Sequence, residues 1–426
     1  MYWDISVKDK LSGKVAVPGS KSHTIRAVIA AFLAEGVSEI YSPLHSADTA
    51  SALAAVTALG AKVESSGNCW KITGTGGKIT APASPVDLGN SGTTLRIITA
   101  VAALGKQKIT FTGDSSLQSR IMKGELDALA ALGALCESSG GCAPLSVQGT
   151  LTGGKCKVDG TTSQYLTALL MALPLAENDS VLELDFLNEA DYVRITLDWL
   201  ERCGVKVVYS SDLLHFEIPG KQHYKNFSRV VPADFSTAAF PLGAGVAAGK
   251  CVEILNLDFD DLQGDKKVFD YVSRMNGDIS VTGSSVIVRA SELAGRDFDL
   301  NRTPDALPLM AVLGCFASGT TRLLNVPQAR FKECDRIACM TRELRKMGAD
   351  IEELEDGMII HGGKPLSGAE VESYDDHRIA MALTVAALKA EGKVSIVNGG
   401  CCKVTYPGFA EDFRALGVNI DERVEK

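Results

Sequence analysis

Two spacings of apolar residues alternate along the chain. Ile25, Val28, Ile29, Phe32 and Leu33 recur at the three-and-four spacing of one helix face. Pro18-Gly19-Ser20 before them supplies a turn and a capping serine. A second helix is predicted from Ala47 to Leu59, with Leu53, Val56 and Leu59 on its apolar side. It stops at Gly60, after which Lys62-Val63-Glu64 and Trp70-Lys71-Ile72 alternate as the arms of a hairpin.

The cycle then repeats. Glycines that end a helix and precede a strand-like run fall at 60, 133, 204, 277, 348 and 417, at intervals of 73, 71, 73, 71 and 69 residues. Helix starts near Ser22, Gly92, Ser163, Phe235, Asp305 and His377 keep the same period. Each repeat reads as helix, strand, second helix, glycine stop and two strands. Solenoid repeats usually run about 20–50 residues, so this longer period argues against a simple repeat scaffold. The expected fold class is α/β, with two similar lobes of three repeats each, helices inside and sheets outside. The boundary falls near Pro232, giving one lobe of residues 21–231 and a discontinuous one of residues 1–20 and 232–426. Trp3, Ile5 and Val7, then Lys14-Val15-Ala16-Val17, read as strands that complete the lobe of the last three repeats.

The helix starts gather the polar chemistry. The first carries Lys21, Ser22 and Arg26, and the second lies in Leu88-Gly89-Asn90-Ser91-Gly92-Thr93-Thr94-Leu95-Arg96. The third has Thr161-Thr162-Ser163-Gln164-Tyr165, the fifth Thr303-Pro304-Asp305-Ala306 and the sixth Tyr374-Asp375-Asp376-His377-Arg378. The fourth, Ala233-Asp234-Phe235-Ser236, lacks a cation and is expected only to position the lobes. Exposed N–H groups at a helix start favour an anion by about 0.3–1 kcal/mol, and by up to about 2 when partly buried. Two further stretches precede second helices at similar places in their repeats: Gln118-Ser119-Arg120-Ile121-Met122 and Gln328-Ala329-Arg330-Phe331-Lys332-Glu333-Cys334-Asp335-Arg336. The latter mixes cations with a carboxylate, as proton transfer beside bound anions requires.

Composition narrows the partners. The net charge is −9, from 43 Lys+Arg against 52 Asp+Glu, which disfavours nucleic acid and anionic membranes. A small anionic substrate fits if the cations converge. The eleven cysteines are scattered without a Cys-x-x-Cys pair, as expected of reduced thiols in a cytoplasm, with no zinc site. No stretch has the length of an apolar membrane span, and the first residues lack the pattern of a secretory leader.

Pro18-Gly19-Ser20-Lys21-Ser22-x-x-x-Arg26, Leu88-Gly89-Asn90-x-Gly92-Thr93-x-x-Arg96, Lys332-Glu333-x-Asp335-Arg336 and Asp376-His377-Arg378 together resemble the 5-enolpyruvylshikimate-3-phosphate synthase family. The matches run from residue 14 to about 415. The resemblance implies two lobes of three βαβαββ repeats, and transfer of the enolpyruvyl group of phosphoenolpyruvate to shikimate 3-phosphate, in aromatic amino acid and chorismate biosynthesis. It implies no metal and no organic cofactor, and a cytoplasmic monomer. Carried over residue by residue, it assigns shikimate 3-phosphate to Lys21, Ser22, Arg26, Thr162, Ser163, Gln164, Asp305, Gln328 and Lys332. Phosphoenolpyruvate falls to Lys21, Gly92, Arg120, Gln164, Arg336, Arg378 and Lys403. Asp305 would accept the proton of the 5-hydroxyl, and Glu333, helped by Lys21, would protonate the methylene carbon. The chain departs from the family at Glu189, where a phosphate-binding serine is usual, at Gln328, usually asparagine, and at Lys403, one place before the usual lysine. The Thr162-Ser163-Gln164 loop is also one residue shorter than usual. Two alternatives are the related transferase acting on UDP-N-acetylglucosamine and a non-catalytic protein that binds phosphorylated metabolites. The first usually has a reactive cysteine before Arg120, and Gly113 to Arg120 contains none.

Overall fold

The computed structural model describes residues 1–7 and 9–424; the expected lobe end at residue 426 lies outside the described residues. The chain divides into two compact lobes, an amino lobe of Gly19–Val231 and a carboxyl lobe joining Met1–Pro18 to Pro232–Lys426. Each has its own apolar core. The helices of the amino lobe are α1 (Lys21–Leu33), α2 (Ala47–Ala58), α3 (Gly92–Ala102), α4 (Ser115–Gln118), α5 (Lys123–Ala131), α6 (Ser163–Ala172) and α7 (Ala190–Arg202). Those of the carboxyl lobe are α8 (Phe235–Ala248), α9 (Lys267–Arg274), α10 (Leu307–Phe316), α11 (Arg336–Lys346), α12 (His377–Ala387) and α13 (Phe409–Leu416).

The first helix of every repeat is the inner one. α1, α3 and α6 in one lobe and α8, α10 and α12 in the other are buried along almost their whole length. In α8 every residue from Phe235 to Ala247 is buried. A helix that is apolar all round has no face to offer water, so it goes inside. α3 packs on α6 and α1, and α10 on α12 and α8. Side chains on these helices are mostly aliphatic, and their charged groups lie in the first two turns. α10 begins at Leu307, two residues beyond the predicted start, because Pro304–Ala306 forms a separate 3-10 turn. Asp305 therefore sits on a tight turn ahead of the helix.

Each lobe carries three four-stranded sheets. In the repeat of α3 and α5 the order is Val86–Asp87, Ile109–Thr112, Cys142–Gln148, Leu135–Ser139, with the first pair parallel and the others antiparallel. The first and fourth repeats exchange their lead-in strands. Leu11–Ala16, just before α1, pairs in parallel with Gly249–Leu255 of the fourth repeat. Ser228–Val230, just before α8, pairs in parallel with Val37–Tyr41 of the first. Tyr2–Val7 fills the place of the missing last strand of the sixth repeat, antiparallel to both Val394–Val397 and Val418–Arg423. Trp3 and Ile5 point into the core from it, each 2% exposed.

At five of the six helix stops the predicted glycine is left-handed, from φ 77 at Gly204 to φ 116 at Gly60. The fourth differs. Asn276 takes the left-handed place at φ 70, and Gly277 follows it with no positive φ. Asparagine tolerates that conformation. Gly277 is instead needed for space, since a Cβ there would lie 2.6 Å from Val272 Cγ1. All eleven cysteines are free thiols, and no helix of the described residues is long and apolar enough to cross a membrane.

The amino-terminal strand is a structural member of the carboxyl lobe, so its anchor should matter to stability. Trp3 is 2% exposed and stacks on Phe409 with ring centroids 6.0 Å apart. Trp3→Ala is expected to destabilise the carboxyl lobe by about 3–5 kcal/mol, measured as a lower urea midpoint at unchanged slope.

Candidate active site

In the carboxyl lobe, three sequence stretches converge on one guanidinium. Arg336 opens α11 and is 1% exposed. Its Nε donates to Asp376 Oδ2 at 2.7 Å, its Nη1 to Asp305 Oδ1 at 2.7 Å and its Nη2 to Glu333 Oε2 at 2.7 Å. Arg378, in the first turn of α12, reaches the other Asp305 oxygen at 2.8 Å. Asp376 is fully buried and also caps α12, accepting from the Arg378 N–H at 2.8 Å. Burial alone would raise the Asp305 carboxyl. The Arg378 and Arg336 guanidiniums, with Lys332 adding to them, overcome that and hold it well below the usual carboxylate range. Asp305 is therefore ionised at neutral pH and able to accept a proton. Gln328 is buried and donates to the Asn301 carbonyl at 2.7 Å. Lys403 lies exposed on the 3-10 helix Gly399–Val404, outside this ion-pair network.

The amino lobe gathers a second set. Lys21 Nζ pairs with Asp48 Oδ2 at 3.0 Å, and Asp48 sits in the first turn of α2. Arg26 is 1% exposed and ties α1 to α6 and α7, donating to Thr196 Oγ1 at 2.9 Å, Thr167 Oγ1 at 3.3 Å and the Tyr192 carbonyl at 3.3 Å. A further bond holds the Ser22 carbonyl at 3.0 Å. Burial pushes Arg26 down to about 10, against the pull of Tyr192 and Glu189, and it remains a cation at neutral pH. Arg96 donates to Gln164 Oε1 at 2.7 Å, linking α3 to α6. Arg120 is held by Asn90 Oδ1 and, at 3.3 Å, by Ser116 Oγ. Gly92 lies directly beneath these two arginines. A Cβ on it would stand 2.5 Å from Arg120 Nη1 and 3.0 Å from Arg96 Nη1, so only glycine leaves them this close to the helix start.

At the start of α6, Thr162 caps the helix, accepting from the Gln164 N–H at 3.3 Å. Ser163 Oγ donates to Glu189 Oε2 at 2.8 Å, and the Ser163 N–H and Thr162 Oγ1 meet the same oxygen at 3.4 Å. Behind α6 lies Glu125, fully buried on α5, with neither carboxyl oxygen hydrogen-bonded among the described residues. Burial pushes this carboxyl well above the usual range, although Arg96 pulls the other way.

A model of the EPSP synthase (3-phosphoshikimate 1-carboxyvinyltransferase) family matches residues 5–413, almost the entire chain. The chain belongs to this family. A 3-phosphoshikimate 1-carboxyvinyltransferase of Acetivibrio thermocellus is 45% identical over 415 residues, covering 97% of this chain and 98% of that one. One from Methanococcus aeolicus is 41% identical, over 98% and 99% of the two chains. Among solved structures, EPSP synthase from Acinetobacter baumannii superposes with a TM-score of 0.82 at 27% identity, over 99% of this chain and all (100%) of that one. The enolpyruvyl transferase NikO of Streptomyces tendae shares the fold, with a TM-score of 0.81 at 18% identity, over 100% of this chain and 99% of that one.

In the sequence of this chain, the side chains that hold the candidate site residues in place are the least visible. Asp48, which pairs with Lys21, looks like an ordinary carboxylate in the first turn of a helix. Asp376 and Arg96 stand inside the matched motifs, but spacing does not reveal that one braces Arg336 and the other Gln164. Glu125 carries no sequence signal, because only the packed fold removes it from water.

Glu125 generates a pH prediction. Its folded-state pKa is raised, so the folded protein holds a proton that the unfolded chain releases, and wild-type stability falls as pH rises above the ordinary carboxylate range. Glu125→Gln mimics the protonated form. Its thermal midpoint is expected to match wild type near the ordinary glutamate pKa, about 4.3, and to exceed it increasingly toward neutral pH. Parallel stability–pH curves for the two proteins would contradict this.

Proposed function

We propose that this chain transfers the enolpyruvyl group of phosphoenolpyruvate to the 5-hydroxyl of shikimate 3-phosphate and releases phosphate. The Arg336–Asp305–Arg378 array with Glu333 is the observation that carries the reading. Two substrates rich in negative charge must be held side by side, so buried cations are required. One carboxylate must take a proton and a second acid must give one.

In this reading Arg336, Arg378 and Arg120, with Lys403 and Gln164, hold the carboxylate and phosphate of phosphoenolpyruvate, and Gly92 permits its close approach. Lys21, Ser22, Arg26, Thr162, Ser163, Gln164, Gln328 and Lys332 hold shikimate 3-phosphate. An incoming carboxylate competes with Asp305 for the two guanidiniums. As it takes them over, the influence that depresses Asp305 weakens, and its basicity rises when the 5-hydroxyl needs a proton acceptor. The 5-oxygen attacks C2 of phosphoenolpyruvate while Glu333 protonates C3, with Lys21 assisting. The resulting intermediate bears phosphate and ether on one carbon. Glu333, now a carboxylate, takes back a methyl proton as the C–O bond to phosphate breaks, and phosphate leaves with the proton Asp305 held, giving the enol ether. Asp376 touches no substrate; it keeps the Arg336 plane fixed throughout.

Purified protein in EDTA with both substrates is expected to release phosphate and form a product with the mass of the enolpyruvyl ether. UDP-N-acetylglucosamine as acceptor is expected to give none. Folded protein that makes no ether would overturn the assignment. Glu333→Gln is expected to lower kcat by about 10²–10⁴-fold, the usual contribution of a positioned acid, while the Kd for shikimate 3-phosphate stays near wild type. Equal loss of both would make Glu333 a structural residue.

A further inference from the structure

The start of α6 already holds an anion. Glu189 is 1% exposed, and three donors from Thr162 and Ser163 surround one of its carboxylate oxygens, the Ser163 hydroxyl at 2.8 Å and the Ser163 N–H and Thr162 hydroxyl at 3.4 Å. Its backbone is left-handed, at φ 58 and ψ 38, a conformation that non-glycine residues adopt infrequently. That backbone turns the side chain from the start of α7 toward the start of α6. α6 is ten residues long, so its N-terminal N–H groups and dipole favour negative charge at this point. The nearby buried cation Arg26 also responds to the Glu189 charge.

We infer that Glu189 is a specificity-determining residue, a built-in anion that competes with the phosphate of the acceptor for Thr162, Ser163 and the start of α6. This rests on the assignment of those residues to shikimate 3-phosphate under the proposed function. Phosphate and carboxylate cannot share the same three donors, and like charges repel at such distances. For the acceptor to bind, the Glu189 side chain rotates off α6 and gives up its hydrogen bonds to Ser163 and Thr162. The acceptor thus binds against an internal competitor, which weakens phosphate-bearing ligands and leaves ligands without the phosphate unaffected.

The test is calorimetric binding of shikimate 3-phosphate and of shikimate to wild type, Glu189→Gln and Glu189→Asn. Glutamine keeps the shape and removes the charge; asparagine suits the left-handed backbone and is too short to reach α6. Both variants are expected to tighten shikimate 3-phosphate at least tenfold and to change shikimate less than twofold, with thermal midpoints confirming that they fold. Unchanged or weaker binding of shikimate 3-phosphate in both variants would overturn the inference, as would equal tightening of both ligands. Because the readout is binding, it separates from the turnover assay: wild type that makes the ether while the variants do not tighten defeats this inference alone, whereas wild type that makes none defeats the proposed function first.

Discussion

A cation with almost no access to water opens α11 in the carboxyl lobe, and its pairing governs what surrounds it. Removing an unpaired guanidinium from water costs several kcal/mol, roughly, so Arg336 is tolerable only inside a complete set of partners. Asp376, Asp305 and Glu333 supply that set from three places in the sequence. The demand fixes the start of α12 relative to α11, because Asp376 must cap one helix while meeting the first residue of the other. It also orients two further carboxylates, since Asp305 and Glu333 share one guanidinium.

The amino lobe follows the same logic with different partners. Arg26 is matched by two hydroxyls and two carbonyls rather than by carboxylates, which leaves it a net positive charge inside the lobe. Arg96 and Arg120 are steered by amide oxygens of Gln164 and Asn90. Neutral partners orient a guanidinium without cancelling its field, and such a field suits the capture of a polyanion. The carboxyl lobe instead carries its counter-charges with it, in Asp376, Asp305 and Glu333.

Much of this was legible in the residues. The periodic helix starts fell within two positions of the observed start of every inner helix, and a helix buried on all sides announces itself by composition without tertiary information. The glycine stops were legible for the same local reason, and the exception at Asn276 shows the limit: a glycine can serve space rather than backbone conformation. The exchange of lead-in strands was harder to see. Pairing Leu11–Ala16 with Gly249–Leu255 depends on contacts over two hundred positions apart, which no local pattern encodes. At the site, cations at helix starts, Arg96 among them, were visible, while Asp48 and Glu125 were not. Their importance comes from burial and from what they touch.

The strand Tyr2–Val7 lies between two strands from the final repeat. On a ribosome it is made long before either neighbour, since both belong to the sixth repeat. The amino lobe has all its strands in hand once Val231 is made, since Ser228–Val230 closes the sheet of the first repeat. Synthesis therefore imposes an order that chemistry in a test tube does not. One half can mature early, while Tyr2–Val7 must be kept from other partners until the sixth repeat has been made.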